Sequence, residues 1–184
     1  MKLIAIADIP PTPWKNGGGV TREIAVRADE KGFIWRLSVA DVGRNGPFSM
    51  FPGLLRILTV IAGDGLRLRH AGGVLEANRG NPVSFDGDTP IDCELVSGPV
   101  RDFNLIYDPK RAAMSVERLE AGTHRVLRGR PLGLLPVGAP CEASGAVVPA
   151  GSFLLFGETN AASTISVETG GVAVLLSVDG YSGG

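Results

Sequence analysis

Short apolar runs, each broken by glycine or proline, recur along most of the chain. They are rich in Val, Ile, Leu and Phe: Thr21–Val26, Phe33–Ala40, Arg56–Ile61, Gly65–Arg69, Val83–Phe85, Asp92–Val96 and Asp102–Tyr107. The second half continues the series with Ser115–Leu119, His124–Leu127, Ser152–Phe156, Ser163–Val167 and Val172–Val178. Runs of this length bounded by turn formers predict strands, and many of them at short spacing predict an all-β sandwich or barrel. Glycine (26) and proline (13) supply the punctuation. Helix has one candidate, Lys110–Leu119, which Asp108-Pro109 could open; Ser115–Leu119 alternates equally well as a strand.

A faint repeat predicts how the strands are divided. Gly80-Asn81-Pro82-Val83-Ser84-Phe85-Asp86-Gly87-Asp88-Thr89 is echoed, with one residue of slippage, by Gly151-Ser152-Phe153-Leu154-Leu155-Phe156-Gly157-Glu158-Thr159. If the echo reflects duplication, two similar barrels meet near Asp108-Pro109-Lys110. This gives an N-terminal barrel over 1–108 and a smaller, degenerate one over 109–184. Unusual polar residues concentrate in the first, so the ligand pocket is expected there.

Alternation along two strands carries the first functional hint. Strand neighbours i and i+2 share a face. Trp35, Leu37 and Val39 form one face, while Arg36 and Ser38 lie on the other between Ile34 and Ala40. Phe103 and Leu105 likewise oppose Asp102 and Asn104. Ordinary alternation with the polar face in water is the commoner cause of such a pattern. Asn and Asp are, however, depleted in strands, and Ile34, Ala40 and Ile106 make the supposed wet faces partly apolar. A barrel interior with a polar pocket fits better, Arg36 pairing with Asp102 or with a ligand.

Two irregular stretches add candidates. Pro13-Trp14-Lys15-Asn16-Gly17-Gly18-Gly19 places a cation and an amide beside three glycines, with Arg22 and Glu23 just beyond. Oriented amides next to Lys15 and Arg22 could hold an anion; a flexible loop with surface cations is the plainer alternative. Asn45-Gly46-Pro47-Phe48-Ser49-Met50-Phe51-Pro52-Gly53 carries two phenylalanines in a chain with few aromatics. Phe48 and Phe51 either cap the core or wall a pocket whose polar side is Lys15, Arg22 and Arg36. Arg56 then stands at a barrel mouth, ahead of Ile57–Ile61.

Charge and composition narrow the function classes. Eighteen Lys and Arg against nineteen Asp and Glu leave a net charge of −1, without the basic footprint of a nucleic-acid binder. No apolar run approaches the roughly 18 residues that span a bilayer. The N-terminus breaks too soon at Asp8 to read as a secretory signal. Cys93 and Cys141 form no Cys-x-x-Cys pair and read as buried, reduced thiols. A cytoplasmic protein is expected.

These stretches together resemble the HutD/Ves family. The resemblance rests on Pro13–Gly19 with Thr21–Ile24, Trp35–Ala40, Gly46–Gly53 with Arg56, and Asp102-Phe103-Asn104, in order over the first 107 residues. It implies a bicupin, two RmlC-like jelly-roll barrels with little helix, and a role in histidine utilisation as a regulator or metabolite-binding protein. An N-formylglutamate-like ligand goes with that implication. A typical cupin metal site needs a His-x-His pair and further ligands, whereas His70 and His124 stand alone, one in each half. No metal or other cofactor is therefore expected.

The reading that follows is a non-enzymatic sensor of a small carboxylate metabolite. Its site would comprise Lys15, Asn16, Arg22, Arg36, Ser38, Phe48, Ser49, Arg56, Asp102 and Asn104, with Arg forks matched to carboxylates. No catalytic residue is assigned. The alternatives are a metal-independent hydrolase or isomerase, with Asp102 as base and Lys15 or Arg36 as electrophile, and a scaffold with a vestigial pocket. An exposed barrel edge could pair two copies of the chain.

Overall fold

The computed structural model of the protein describes residues 1–126, 130–157 and 164–181. Leu127, Glu158, Thr159 and Ser163, used in the strand pattern and the echo, lie outside them. The described residues form strands and one short 3-10 turn, Ile6–Asp8. In chain order the first strands are β1 (Lys2–Ala5), β2 (Thr12–Pro13), β3 (Gly19–Asp29), β4 (Gly32–Val42), β5 (Gly46–Pro47) and β6 (Leu55–Ala62). Then come β7 (Leu66–His70), β8 (Gly73–Ala77), β9 (Pro82–Asp86), β10 (Asp92–Leu95), β11 (Val100–Tyr107) and β12 (Ala112–Leu119). The series ends with β13 (Gly122–Arg125), β14 (Arg130–Val137), β15 (Cys141–Ala143), β16 (Ala146–Val148), β17 (Ser152–Leu155), β18 (Thr164–Val167) and β19 (Val172–Tyr181). The alternation in Ser115–Leu119 wins over a helix: that stretch belongs to β12.

Two compact units result, one from Ile9 to Pro109, the other joining Met1–Asp8 to the chain from Lys110 onward. The first eight residues, grouped by the sequence with the N-terminal half, cluster with the C-terminal unit because β1 pairs antiparallel with β17. Ile6 is buried there, and its amide donates to the Gly151 carbonyl at 3.0 Å.

The N-terminal unit has a six-stranded sheet, β2-β3-β4-β11-β6-β9, and a four-stranded sheet, β5-β10-β7-β8. Ala40, Val42, Leu58, Val60 and Val100 from the first meet Leu66, Leu68, Ala77 and Cys93 from the second in one core. The C-terminal unit has the sheets β1-β17-β14-β19-β12 and β13-β18-β15-β16. Its core joins Leu119, Leu134, Leu154 and Leu175 to Cys141, Ala143, Val148 and Ile165. Each of the Leu, Ile and Val side chains contributes about 1.5–3 kcal/mol by leaving water.

The Gly80/Gly151 echo falls on β9 and β17. Both glycines take a positive φ, 76° and 80°, just before the strand. Phe85 and Phe156 each enter the core of their own unit.

Candidate functional site

Register across the six-stranded sheet assembles the polar residues. Arg36 on β4 lies opposite Ile106 on β11, which lies opposite Arg56 on β6 and, beyond it, Phe85 on β9. The next row is Ser38, Asn104 and Leu58; the one after is Ala40, Asp102 and Val60. A bulge in β3 between Glu23 and Ala25 sets Glu23 opposite Ser38. The inner face thus turns from apolar to polar within three rows, and a cavity of about 700 Å³ opens over the polar end.

Nine of the ten site residues expected from sequence line this cavity: Lys15, Asn16, Arg36, Ser38, Phe48, Ser49, Arg56, Asp102 and Asn104. Arg22 does not join them, which corrects the expectation that it would. It lies opposite Val39, on the other face of the sheet, and its Nη1 donates to Asp41 Oδ2. Thr21 and Glu23, its neighbours on either side, are the β3 residues that face the cavity. Strand parity puts Thr21 and Glu23 on one face and Arg22 on the other, without saying which of the two turns inward. Trp14 and Phe51 also line the cavity.

Local structure holds the rim in place. Trp14 Nε1 donates to Thr21 Oγ1 at 2.7 Å, and its ring stands edge-on to Phe48 with centroids 6.1 Å apart. The three glycines serve geometry. Gly17 adopts φ 68°; at Gly19 a Cβ would overlap the Asp41 carbonyl and press on the Trp14 ring. The Gly17 amide bonds to the Trp14 carbonyl and the Gly18 amide to Asn16 Oδ1, both at 3.0 Å, so these two donors are already used within the loop. Phe51 is tied to the end of β9, its amide donating to the Gly87 carbonyl at 2.8 Å. A Cβ at Gly87 would overlap the Phe51 carbonyl, so this approach requires glycine.

Of the Asp, Glu, Lys, Arg and His side chains among the described residues, Arg56 and Asp102 are the two that are buried. Arg56 Nη2 donates to Asn104 Oδ1 at 2.9 Å, and Nη1 to the Ser49 carbonyl at 3.2 Å. Its guanidinium carbon lies 5.0–5.3 Å from the ring centroids of Phe85, Phe51 and Phe48. These rings offset part of a desolvation cost that still lowers the Arg56 pKa to about 10. Asn104 passes the interaction on, its Nδ2 donating to Asp102 Oδ1. Asp102 is 1% exposed, and burial raises its pKa to about 7 against the opposing pull of Arg56 and Asn104. Asp102 Oδ2, Arg36 Nε and Arg56 Nε are buried with no hydrogen-bond partner among the described residues. The Arg36 guanidinium carbon lies 5.3 Å from the centroid of the Phe51 ring. Nearby Cys93 stays a thiol, pushed up to about 12 mainly by burial, as Cys141 is to about 11.

A cupin fold, which the resemblance implies, would invite a metal ion in such a cavity, and the donors here do not fit one. Lys15, Arg36 and Arg56 would repel a divalent cation, and one oxygen of Asp102 is already committed to Asn104. His70 instead accepts the Gly72 amide at Nδ1, and His124 Nε2 bonds the Glu120 carbonyl. No cluster of three or more His, Cys, Asp or Glu is placed to hold a metal among the described residues. The lining sets the three cations Lys15, Arg36 and Arg56 beside the Phe48 and Phe51 rings. No helix among the described residues is long and apolar enough to cross a membrane.

The chain belongs to the HutD family, whose model matches residues 6–138. A Pseudomonas putida protein described as an uncharacterized 21.2 kDa protein in the hutC 3′ region is 40% identical over 134 residues, 68% of this chain and 67% of that one. Protein Ves of Cronobacter sakazakii is 33% identical over 118 residues, 63% of this chain and 65% of its own. Both matches thus span about two thirds of the relative's length. The structure of HutD from Pseudomonas fluorescens SBW25, in a formate condition, covers 97% of this chain and 99% of that one. Its TM-score is 0.83 at 31% identity. At the level of fold alone, a cupin 2 conserved barrel domain protein from Leptotrichia buccalis follows 96% of each chain with a TM-score of 0.60 at 11% identity. The protein is an all-β bicupin.

Proposed function

We propose that this HutD-family protein is a non-enzymatic sensor that binds a small carboxylate metabolite in the N-terminal cavity. The observation that carries the reading is Arg36: its Nε is buried without a partner, it lies over Phe51, and it shares the cavity with Arg56. A buried Nε left without a partner is costly, and a carboxylate would compensate it, since the partly exposed Arg36 guanidinium can grip one with two parallel bonds. The neighbourhood of hutC described for the Pseudomonas putida relative supports a place in histidine utilisation. An N-formylglutamate-like degradation intermediate has the required chemistry.

The test is a thermal-shift screen of histidine-degradation intermediates, N-formylglutamate included, followed by calorimetric titration. A ligand at 100 times its dissociation constant adds roughly 2.7 kcal/mol of stability. Arg36→Ala should keep the fold and weaken binding ten- to a hundredfold, since hydrogen bonds to charged groups contribute about 1.5–3 kcal/mol each. Arg36→Lys should recover only part, because an ammonium keeps the charge but not the fork. Equal affinity in all three proteins would remove the reading. The raised Asp102 also suits a general base in a hydrolase or isomerase. Product formed on incubation with the same compounds would favour that alternative.

A further inference from the structure

Asp102 is an acid in a site for acids. Its Oδ1 accepts from Asn104 Nδ2, while Asn104 Oδ1 accepts from Arg56 Nη2 at 2.9 Å. The amide therefore stands between the guanidinium and the carboxyl group, and no cation pairs with Asp102 directly among the described residues. Asp102 lines the cavity, and its Oδ2 is buried without a donor. As a carboxylate it would be a buried anion missing half its hydrogen bonds, and it would repel an incoming carboxylate. As a carboxyl group it presents an O–H.

We propose that Asp102 acts in its protonated form, donating from Oδ2 to an oxygen of the bound carboxylate, so that ligand and proton enter the cavity together. This rests on the carboxylate reading above and specifies its chemistry: the ligand oxygens are shared between the Arg36 fork and a neutral acid. No covalent bond of the ligand changes, and the proton comes from solvent. The charged and titratable groups around Asp102 are Arg36 and Asp41 on β4, Glu23 on β3, Arg56 on β6, Cys93 on β10 and Lys15 at the rim. Arg56 favours the ionised form and Asp41 opposes it; burial outweighs both and holds the group near neutral pH.

Calorimetric titration of the intact protein with N-formylglutamate, in buffers of different ionisation enthalpy, counts the protons directly. Both carboxyl groups of that probe are ionised from pH 6 upward. Uptake should approach one proton per ligand at pH 8.5 and fall towards zero at pH 6. Over the same range the dissociation constant should rise roughly 30-fold, about tenfold per pH unit above the free pKa. In Asp102→Asn the new Nδ2 can take the place of the O–H while Oδ1 still accepts from Asn104, so binding should persist and lose its pH dependence. Binding without proton uptake at pH 8.5 overturns the proposal and leaves the carboxylate reading standing. A pH dependence that survives in Asp102→Asn assigns the proton to another group and overturns it as well. Absence of binding heat at every pH removes both.

Discussion

In the N-terminal unit β11 turns Asp102 and Asn104 inward, whereas in the C-terminal unit β19 turns Ala173 and Leu175 inward. The surrounding plan is the same. Setting aside β1, β2 and β3, the sheets run β4-β11-β6-β9 with β5-β10-β7-β8, and β12-β19-β14-β17 with β13-β18-β15-β16. Each C-terminal strand is the eighth after its N-terminal counterpart. One frame therefore supports two kinds of interior. The C-terminal core is filled with aliphatic side chains and Phe156. The N-terminal core is equally apolar from Leu58 to Cys93 but gives way to Arg36, Arg56, Asp102 and Asn104 over part of its sheet. The difference separates the two tasks: apolar packing stabilises both units, while one of them gives up part of its packing to hold charge out of water.

The sharpest way to break this comparison is to damage the dry core and look for an effect in the wet one. Leu134 is fully buried among Leu119, Leu154 and Leu175. Leu134→Ala should lower stability by about 2–5 kcal/mol through lost transfer energy and the cavity left behind. Urea denaturation measures that loss, and carboxylate affinity below the transition should stay within twofold of wild type. A parallel fall in affinity would show that the two interiors are not separate in function.

Next in size is a pH effect confined to the charged interior. Asp102 has its folded pKa raised from 3.8 to about 7. The folded state therefore holds this proton more tightly than the unfolded chain does. The group contributes stability below pH 4, and that contribution is lost as pH rises from about 4 to about 7. At 1.36 kcal/mol per unit the span sets a ceiling of about 4 kcal/mol. Asp102→Asn cannot titrate, so its stability relative to wild type should improve across that window and level off above it. Asp41, whose pKa is depressed chiefly by its hydrogen bond to Arg101, acts in the opposite sense. It is common to both proteins and cancels from the difference. A flat difference between pH 4 and 8 would mean that Asp102 titrates normally, and the two interiors would then differ less than their residues suggest.

Much of this contrast was legible in the chain. Period-two alternation exposed the polar pairs Arg36/Ser38 and Asp102/Asn104, because i and i+2 share a face whatever covers it. It could not say which face of β3 looks inward, since the Glu23/Ala25 bulge shifts the parity and leaves no mark in composition. Central strand β14 was also hidden, because Pro131, Gly133 and Pro136 read as breakers. Only Gly133 and Leu134 pair with β17. Both prolines fall where β14 has β19 as its one partner strand and needs fewer donors. The place of β1 beside β17 was illegible for a different reason: the pairing partners lie some 150 residues apart, and a four-residue strand carries no address.

The smallest expected effect is also the most discriminating for where the site ends. Arg22 and Arg101 both bond Asp41, Arg101 Nη2 reaching Oδ2 at 3.1 Å. The three side chains keep 16%, 37% and 34% of their surface in water, respectively, so solvent and salt screen the cluster. Arg22→Ala leaves Asp41 with Arg101 and should cost about 0.5–1 kcal/mol, less in high salt. Affinity for N-formylglutamate should not change, because Arg22 lies on the opposite face of β3 from Thr21 and Glu23, and the cavity field is set by Arg36, Arg56 and Lys15. Titrating Arg22→Ala beside Arg36→Ala makes the decision. If both lose affinity tenfold, the charged interior extends through the sheet to Asp41. If only Arg36→Ala does, the wet region ends at the inner face, and one residue of strand parity separates a ligand contact from a surface ion pair.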